Sequence, residues 1–326
     1  MKLVNVERLR IDIQDPTGSW NEFGFLSSQE DINWFTPSDS YWELEHRPIV
    51  GQYFEERGEY WSPAQTRVAL PHWFGHLLPE GMLRELVAQR LAVHESRDFQ
   101  LLRALGEDDL PGALRAISVA SDGSEASVEE HLADETADPY DPDFKFSLAG
   151  VQLKFSVFAS ARAITLPVKG QAGNGILKTP YPRPGFKNVP ESEYAVMNLA
   201  RMAGMQVAPT RLVTVTEILS SEYWSGAGST TGLLIDRFDR TSENQRIHAE
   251  QFAQVMWIPA RRDGAKYKYA NFETVANLVG GVVGIDAVAE VIDRIVLNVL
   301  VGNGDAHLKN WSFIYPDGRN AKLSPA

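Results

Sequence analysis

The alternation of apolar and polar positions changes character several times along the chain. Over residues 1–70, short β-type runs (Leu3–Ile13 and Arg67–Leu70) are broken by turn clusters such as Asp15-Pro16-Thr17-Gly18. Two helical periodicities follow. In Pro79–Leu91, Leu83, Leu86, Val87 and Leu91 fall on one face, and Pro79 suits a first-turn position. Asp98 precedes a second stripe, Phe99, Leu102 and Leu105, and Gly106 is placed to end it as a C′ glycine. The segment Ser121–Asp143 is acidic and nearly free of apolar residues, which reads as a solvated linker and a boundary.

Beyond it, Gln152–Phe158, Ala163–Val168 and Gly175–Lys178 read as strands. A helix over Pro190–Met202 turns Val196, Leu199, Ala200 and Ala203 to one side and stops at Gly204. Gln206–Val215 and Thr231–Phe238 read as further strands. From about residue 249 the pattern becomes helical, most clearly over Asp286–Leu300. There Asp286 is a candidate cap, and Val288, Val291, Ile292, Ile295, Val296 and Val299 make a broad apolar face. Strands, one helix, strands and then helices predict an α+β bilobal layout rather than a βαβ repeat. The expected divisions are 1–120, β-rich then helical; 121–143, a linker or loop; 144–248, a strand-rich lobe; and 249–326, a helical lobe.

Composition narrows the function classes. The chain has 326 residues, enough for two domains, and 44% of them are hydrophobic, which is ordinary globular usage. It has no cysteine, so disulfides, thiolate metal sites and a cysteine nucleophile are excluded. Its net charge of −12 gives no overall attraction for nucleic acid, so DNA contact needs a local basic patch or a basic partner. The start, MKLVNVERLRIDIQD, has no secretory apolar region, and the apolar run Ala276–Ile285 is only about half a membrane span. A cytoplasmic protein without membrane docking is expected. The aromatic residues Trp34, Phe35, Tyr41, Trp42, Tyr53, Phe54, Tyr60, Trp61, Trp73 and Phe74 read mostly as core, with any exposed ones available for docking. His72 and His76 share an i, i+4 spacing, but no H-E-x-x-H glutamate accompanies them, so zinc is not expected there.

The segment Gly302-Asn303-Gly304-Asp305-Ala306-His307-Leu308-Lys309-Asn310 carries the most chemistry. Asp305 and Asn310 have the D-x-x-x-x-N spacing of a phosphotransfer loop, in which a carboxylate meets the acceptor hydroxyl and an amide oxygen turns back to Mg²⁺. Alone, the pattern is short enough to be an ordinary glycine-rich turn. Lys178 closes a β-type run as a phosphate-pairing lysine does, and Glu193 lies on the inner side of its helix, where a cation partner is wanted. Phe146–Lys154 supplies small residues, Gly150 among them, through which backbone N–H groups could approach phosphate, with Lys154 adding charge. It is not a Walker A loop. His307, two residues after Asp305, reads equally as a phosphate contact or a loop buttress.

Taken in order, these segments resemble the HipA family, the serine/threonine-kinase toxins of bacterial toxin–antitoxin modules, whose fold is related to phosphoinositide kinases. The similarity runs through Leu77–Gly81, Leu101–Ala113, Phe146–Lys154, Ile176–Pro180, Val189–Leu199, Ile235–Arg240, Gly302–Asn310 and Leu323–Pro325. It implies ATP and Mg²⁺ as cofactors, with Asp305 as the catalytic aspartate and Asn310 as a metal ligand. Lys178, Gly150, Gln152, Lys154, Glu193 and His307 would surround the nucleotide, and Asp236 and Phe238 would lie at the hinge that holds adenine. Ser147 matches the family's autophosphorylation position; a phosphoserine there would bring about −1.5 to −2 charge to the triphosphate site. The implied partner is a HipB-like helix-turn-helix antitoxin, through which any DNA contact would be indirect. The implied substrate is a cytosolic protein; glutamyl-tRNA synthetase is a known one, but no residue here selects it.

The family's second metal ligand is an aspartate about two residues beyond the Leu-Ser-Pro-Ala stretch, and this chain ends at Ala326. The helical lobe is accordingly expected to be incomplete and this polypeptide to have little kinase activity. A catalytically impaired subunit that serves as binding partner and corepressor of a DNA-binding antitoxin is the competing reading. A lipid or small-molecule kinase is a third, without a basic membrane-docking run to support it.

Overall fold

The computed structural model describes residues 6–58, 65–107, 109–120, 154–160, 163–167, 172–180, 188–219, 229–261 and 264–326. Three antiparallel sheets follow one another along the chain. The first is built from β1 (Glu7–Gln14), β2 (Trp20–Gln29), β3 (Ile32–Pro37), β4 (Thr66–Arg67) and β5 (Leu114–Val119), in the order β4-β3-β2-β1-β5. Short helices α1 (Asp39–Glu43), α2 (Gln52–Glu55) and α3 (His72–Gly75) and the longer α4 (Gly81–Arg90) and α5 (Asp98–Leu105) accompany it. In the β2–β3 hairpin, Glu30 and Asp31 both take positive φ, as a tight two-residue turn between right-twisted strands requires. Gly24 in β2 is needed for close approach: a Cβ there would lie 2.3 Å from the Thr36 carbonyl.

The second sheet comprises β6 (Lys154–Ala159), β7 (Ile164–Thr165), β8 (Gly175–Lys178), β9 (Thr210–Thr214) and β10 (Thr231–Asp236), in the order β7-β6-β8-β10-β9. One face packs on α6 (Val189–Met202) through Leu233, Ile235, Ile176, Tyr194 and Met197. On the other face, Phe155, Val157, Leu177 and Leu234 belong to the same buried cluster as Leu9, Ile11, Phe35, Trp73 and Leu102 of the first sheet and its helices. The first two sheets therefore share one hydrophobic core. The third sheet, β11 (His248–Gln251), β12 (Ser312–Tyr315) and β13 (Lys322–Leu323), packs with α7 (Phe252–Val255), α8 (Ala265–Lys268), α9 (Phe272–Val282) and α10 (Asp286–Leu300) around Phe252, Val279, Val291, Trp311 and Phe313.

The α+β arrangement is as expected, with four local corrections. Gly106 has φ −75°, so it is not a left-handed C′ residue; it is small because a Cβ would sit 2.6 Å from that of Ala116 on β5. Asp286 is the first helical residue of α10 and makes no capping hydrogen bond. On α6 the buried line runs through Pro190, Tyr194, Met197 and Ala200, while Leu199 is 48% exposed. The region after 249 contains strands as well as helices. Gly204, at φ +86°, does stop α6, with the Met205 N–H donating to the Ala200 carbonyl as in a Schellman end. Of the aromatic group, Phe35, Tyr41, Phe54, Trp73 and Phe74 are core, Trp42 and Tyr53 are partly buried, and Tyr60 and Trp61 lie outside the described residues.

Candidate phosphotransfer site

Strand pairing puts two lysines side by side. Lys154 at the start of β6 is the register partner of Lys178 at the end of β8. The period of two along β8 buries Gly175 and Leu177 on the shared core and leaves Ile176 and Lys178 on the α6 face. There Lys178 forms an ion pair with Glu193, the residue that α6 carries one helical turn before Met197. Burial first, then the charge of Lys178, pushes the Lys154 ammonium down to about 7. The charges of Lys309 and Glu80 also act on Lys154, so the electrostatics of the two paired lysines extend to the segment after α10.

That segment begins where Gly302, at φ +67°, ends α10. The Asp305 backbone N–H is held by the Asn303 side chain at 3.0 Å, and the Asn310 Nδ2 donates to the Asp305 carbonyl. His307 starts a short 3₁₀ turn over Leu308–Asn310 and accepts from the Lys309 N–H. The Asp305 carboxylate is 71% exposed, with the Tyr267 hydroxyl of α8 donating to Oδ1 at 2.5 Å and His307 Nε2 3.6 Å away. The Tyr267 ring meets His307 edge-on, 5.0 Å between centroids. The hydrogen bond to Asp305, and then burial, raise the Tyr267 hydroxyl to about 12. Burial and the nearby Lys266 hold His307 at about 4, so it is neutral at pH 7.

Glu80 at the start of α4 reaches this loop from the N-terminal part. Its Oε1 accepts from Lys309 Nζ at 2.6 Å and its Oε2 from Lys266 Nζ at 3.1 Å. Burial alone would raise Glu80, but Lys309 and then Lys266 outweigh it and hold the carboxylate at about 2. A cavity lined by His76, Glu80, Arg261, Gly264, Lys266 and Lys309 lies beside this pair of bridges. Glu193, Lys178, Lys154, Lys309, Glu80 and Lys266 thus form a chain of interacting charges that ends at His307 and Asp305.

Of the residues singled out from the sequence, the structure brings Lys154, Lys178 and Glu193 together and sets Asp305, His307 and Asn310 in one loop. Gly150, Gln152 and Ser147 lie outside the described residues. Asp236 and Phe238 lie at the end of β10 and on the connection toward β11; the Asp236 side chain is exposed and Phe238 is half-buried. The residues missed were Glu80, Lys266, Tyr267 and Lys309. Lys309 lies inside the nine-residue segment and Glu80 inside the Leu77–Gly81 stretch, but neither was given a role; Lys266 and Tyr267 carried no signal. His72 and His76 share no metal arrangement: His76 Nε2 bonds the Ile258 carbonyl at 2.8 Å.

The motif at 235–240 has a further content. Arg237 and Arg240, both buried, share Asp109 from the first unit and Asp239. Arg237 reaches Asp109 at 2.8 Å and Asp239 at 2.7 Å, and Arg240 reaches Asp109 at 2.7 Å and Asp239 at 3.1 Å. The Ser156 hydroxyl and the Gly173 and Gly112 amides complete the carboxylates.

A family model described as the HipA N-terminal domain matches residues 20–117, and one described as the HipA-like C-terminal domain matches residues 146–326, which include Lys154, Lys178, Glu193 and the Asp305–Asn310 loop. The chain belongs to the HipA family. It is 41% identical over 262 residues to the putative kinase Y4dM of Sinorhizobium fredii, covering 79% of this chain and 61% of that protein. The putative kinase Y4mE of the same organism is 30% identical over 317 residues, covering 89% of this chain and 70% of that one. The serine/threonine-protein kinase toxin HipA of Shewanella oneidensis is 25% identical over 73% of this chain and 58% of its own length. The matches cover 58% to 70% of the length of these three relatives. A structure of the Shewanella oneidensis HipA, HipB and operator DNA complex contains a chain of the same fold, with a TM-score of 0.66 and 20% identity over 97% of this chain and 74% of that one. The HipA-like bilobal architecture is therefore shared. Among the described residues no helix is long and apolar enough to cross a membrane.

Proposed function

We propose that this HipA-family protein is an ATP- and Mg²⁺-dependent serine/threonine protein kinase of a toxin–antitoxin module. The observation that carries the reading is the charge chain itself, two register-paired lysines beside a helix glutamate, continuous with a loop that presents Asp305 and Asn310. Lys178, oriented by Glu193, and Lys154 would hold nucleotide phosphates. An anion there opposes the forces that depress Lys154, so the site fits a polyphosphate. Asn310 spends its Nδ2 on the Asp305 carbonyl, which leaves Oδ1 to face a hard cation. Mg²⁺ supplies neutralisation of phosphate charge when bound.

Asp305 keeps its second oxygen for an acceptor hydroxyl, orienting it and taking its proton, while Tyr267 holds Oδ1. Neutral His307 buttresses the loop through Nδ1. Asp236 and Phe238 would flank the adenine at the lobe connection. Gly150 and Gln152 would cover the phosphates, with Ser147 as the loop position for autophosphorylation. The division into 1–120, 121–143, 144–248 and 249–326 belongs to the same proposal. The substrate is a cytosolic protein, and a HipB-like helix-turn-helix antitoxin is the partner that carries DNA contact, which suits a chain of net charge −12.

The test is equilibrium titration of the protein with a fluorescent ATP analogue. Lys178→Ala is expected to weaken binding by about 10- to 100-fold, the loss of one charge-assisted bond set. Equal affinity of Lys178→Ala and wild type would contradict the nucleotide role.

A further inference from the structure

Glu80 belongs to the chain of charges but takes no part in the chemistry described so far, yet the backbone around it is built to present it. Leu77 and Leu78 are buried and fix the segment in the first core. Pro79 follows with its restricted φ, Glu80 is extended at φ −118°, and Gly81 turns left-handed at φ +56°, a conformation costly for other residues. Glu80 occupies the N-cap position of α4, but its side chain makes no capping hydrogen bond. It spends both oxygens across the cleft instead, on Lys309 and Lys266.

Each of those lysines is one residue from a group that holds Asp305. Lys309 precedes Asn310, whose amide donates to the Asp305 carbonyl. Lys266 precedes Tyr267, whose hydroxyl donates to the Asp305 carboxylate. The Lys309 side chain is 5% exposed, so it cannot find a substitute partner in bulk water. A single carboxylate therefore ties down both sides of the Asp305 loop from a distant part of the chain.

Resting on the phosphotransfer reading, we propose that Glu80 is a positioning residue, through which the N-terminal part sets the orientation of Asp305 and of the metal-facing amide of Asn310. The cleft is then composite: nucleotide phosphates are gripped by Lys178 and Lys154, while the geometry of the metal and acceptor side depends on Glu80.

The test compares the whole 326-residue protein with Glu80→Gln and Glu80→Asp. A fluorescent ATP analogue is titrated with Mg²⁺ and with EDTA. Glu80→Gln is expected to change the affinity seen in EDTA less than the Mg²⁺ increment, because Lys178 and Glu193 are untouched and Glu80 acts on Lys154 less than Lys178, Glu193 or Lys309 does. It should lose the extra affinity that Mg²⁺ confers by roughly tenfold, as loss of an outer-shell support does. Glu80→Asp keeps the charge and is expected to recover part of that gain. A Mg²⁺ dependence unchanged in Glu80→Gln, or a loss that Glu80→Asp does not relieve at all, overturns the proposal. Amide hydrogen exchange supplies an arm that needs no ligand. In Glu80→Gln, residues 264–269 and 305–311 should exchange faster, while β11–β13 should not change. Unchanged exchange in both segments overturns the assignment whatever the nucleotide does. A wild-type protein that binds no nucleotide contradicts the proposed function instead, and the exchange arm still decides the role of Glu80.

Discussion

Two of the sets of ion pairs between the N-terminal part and the rest of the molecule are built on opposite terms. Around Asp109, Asp239, Arg237 and Arg240, charges are balanced two against two, every guanidinium is buried, and backbone amides complete the carboxylates. Around Glu80, one carboxylate faces two lysines beside a cavity, and the group it steadies, Asp305, is 71% exposed. The first arrangement is closed to solvent and turned inward, with only Arg240 Nε left without a hydrogen bond, and it serves to hold. The second leaves cationic donors and a carboxylate oxygen unspent, which is what binding and proton transfer require. The difference separates a structural lock from a working site more clearly than residue type does, since both are made of acids and bases.

The sharpest way to break the comparison is stability. Arg237→Met should lower the unfolding free energy by about 3–5 kcal/mol, because it leaves Asp109 and Asp239 buried with too little positive charge. Glu80→Gln, which keeps an acceptor for the buried Lys309 ammonium while removing the charge, should cost less, about 1–3 kcal/mol. Denaturant unfolding measures both, and equal costs would remove the distinction. Glu193→Ala sharpens the other side: it should weaken nucleotide binding less than Lys178→Ala does, because it misorients the lysine without removing it.

A further carboxylate, Glu250, shows what happens without a cation. It is fully buried on β11 and accepts from Trp73 Nε1 at 2.8 Å, the Gln52 amide at 2.9 Å and the Tyr315 hydroxyl at 3.2 Å, yet burial pushes it up to about 7. Its folded value lies above the unfolded one of 4.5, so the stability linked to its protonation is present at low pH and is lost as pH rises from 4.5 through 7. His76, His248 and His307 are held down at about 3 to 4 and run the other way, costing stability as pH falls below 6.5. The difference in unfolding free energy between wild type and Glu250→Gln should therefore change with pH, on the order of 1 kcal/mol per unit between pH 5 and 7. A pH-independent difference would contradict the raised value.

The smallest expected effect belongs to Lys154. Since it titrates near 7 in the free protein, and a bound phosphate favours its charged form, nucleotide affinity should fall several-fold from pH 6 to 8. In Lys154→Met the same titration should be nearly flat.

How much of this was legible in the sequence depended on how local the cause is. The strand ending at Lys178, the helix carrying Glu193 and the spacing from Asp305 to Asn310 are set by runs of a few residues, and they were readable. Glu80, Lys266 and Tyr267 matter because chain segments far apart meet, which periodicity cannot report. The same reason explains the errors. Gly106 does follow the last residue of α5, but without a left-handed turn, and its smallness serves a neighbour on β5. On α10 the sequence marks one broad apolar face, from Val288 to Val299. Val291 is buried, but Ile292, Val296 and Val299 are 52%, 50% and 67% exposed, because the described partners cover only one side of that helix. An apolar stripe marks the residues that could be buried, whereas the partner decides which are.

The central claim is that Lys178 and the Asp305–Asn310 loop serve one phosphate site. The most direct measurement is a pair of titrations of the ATP analogue, with Mg²⁺ and with EDTA, on wild type, Lys178→Ala and Asn310→Ala. The account predicts that Lys178→Ala loses affinity in both conditions, while Asn310→Ala loses it only with Mg²⁺ present. Affinity that is indifferent to Lys178, or an Asn310 effect that is the same in EDTA, would contradict it.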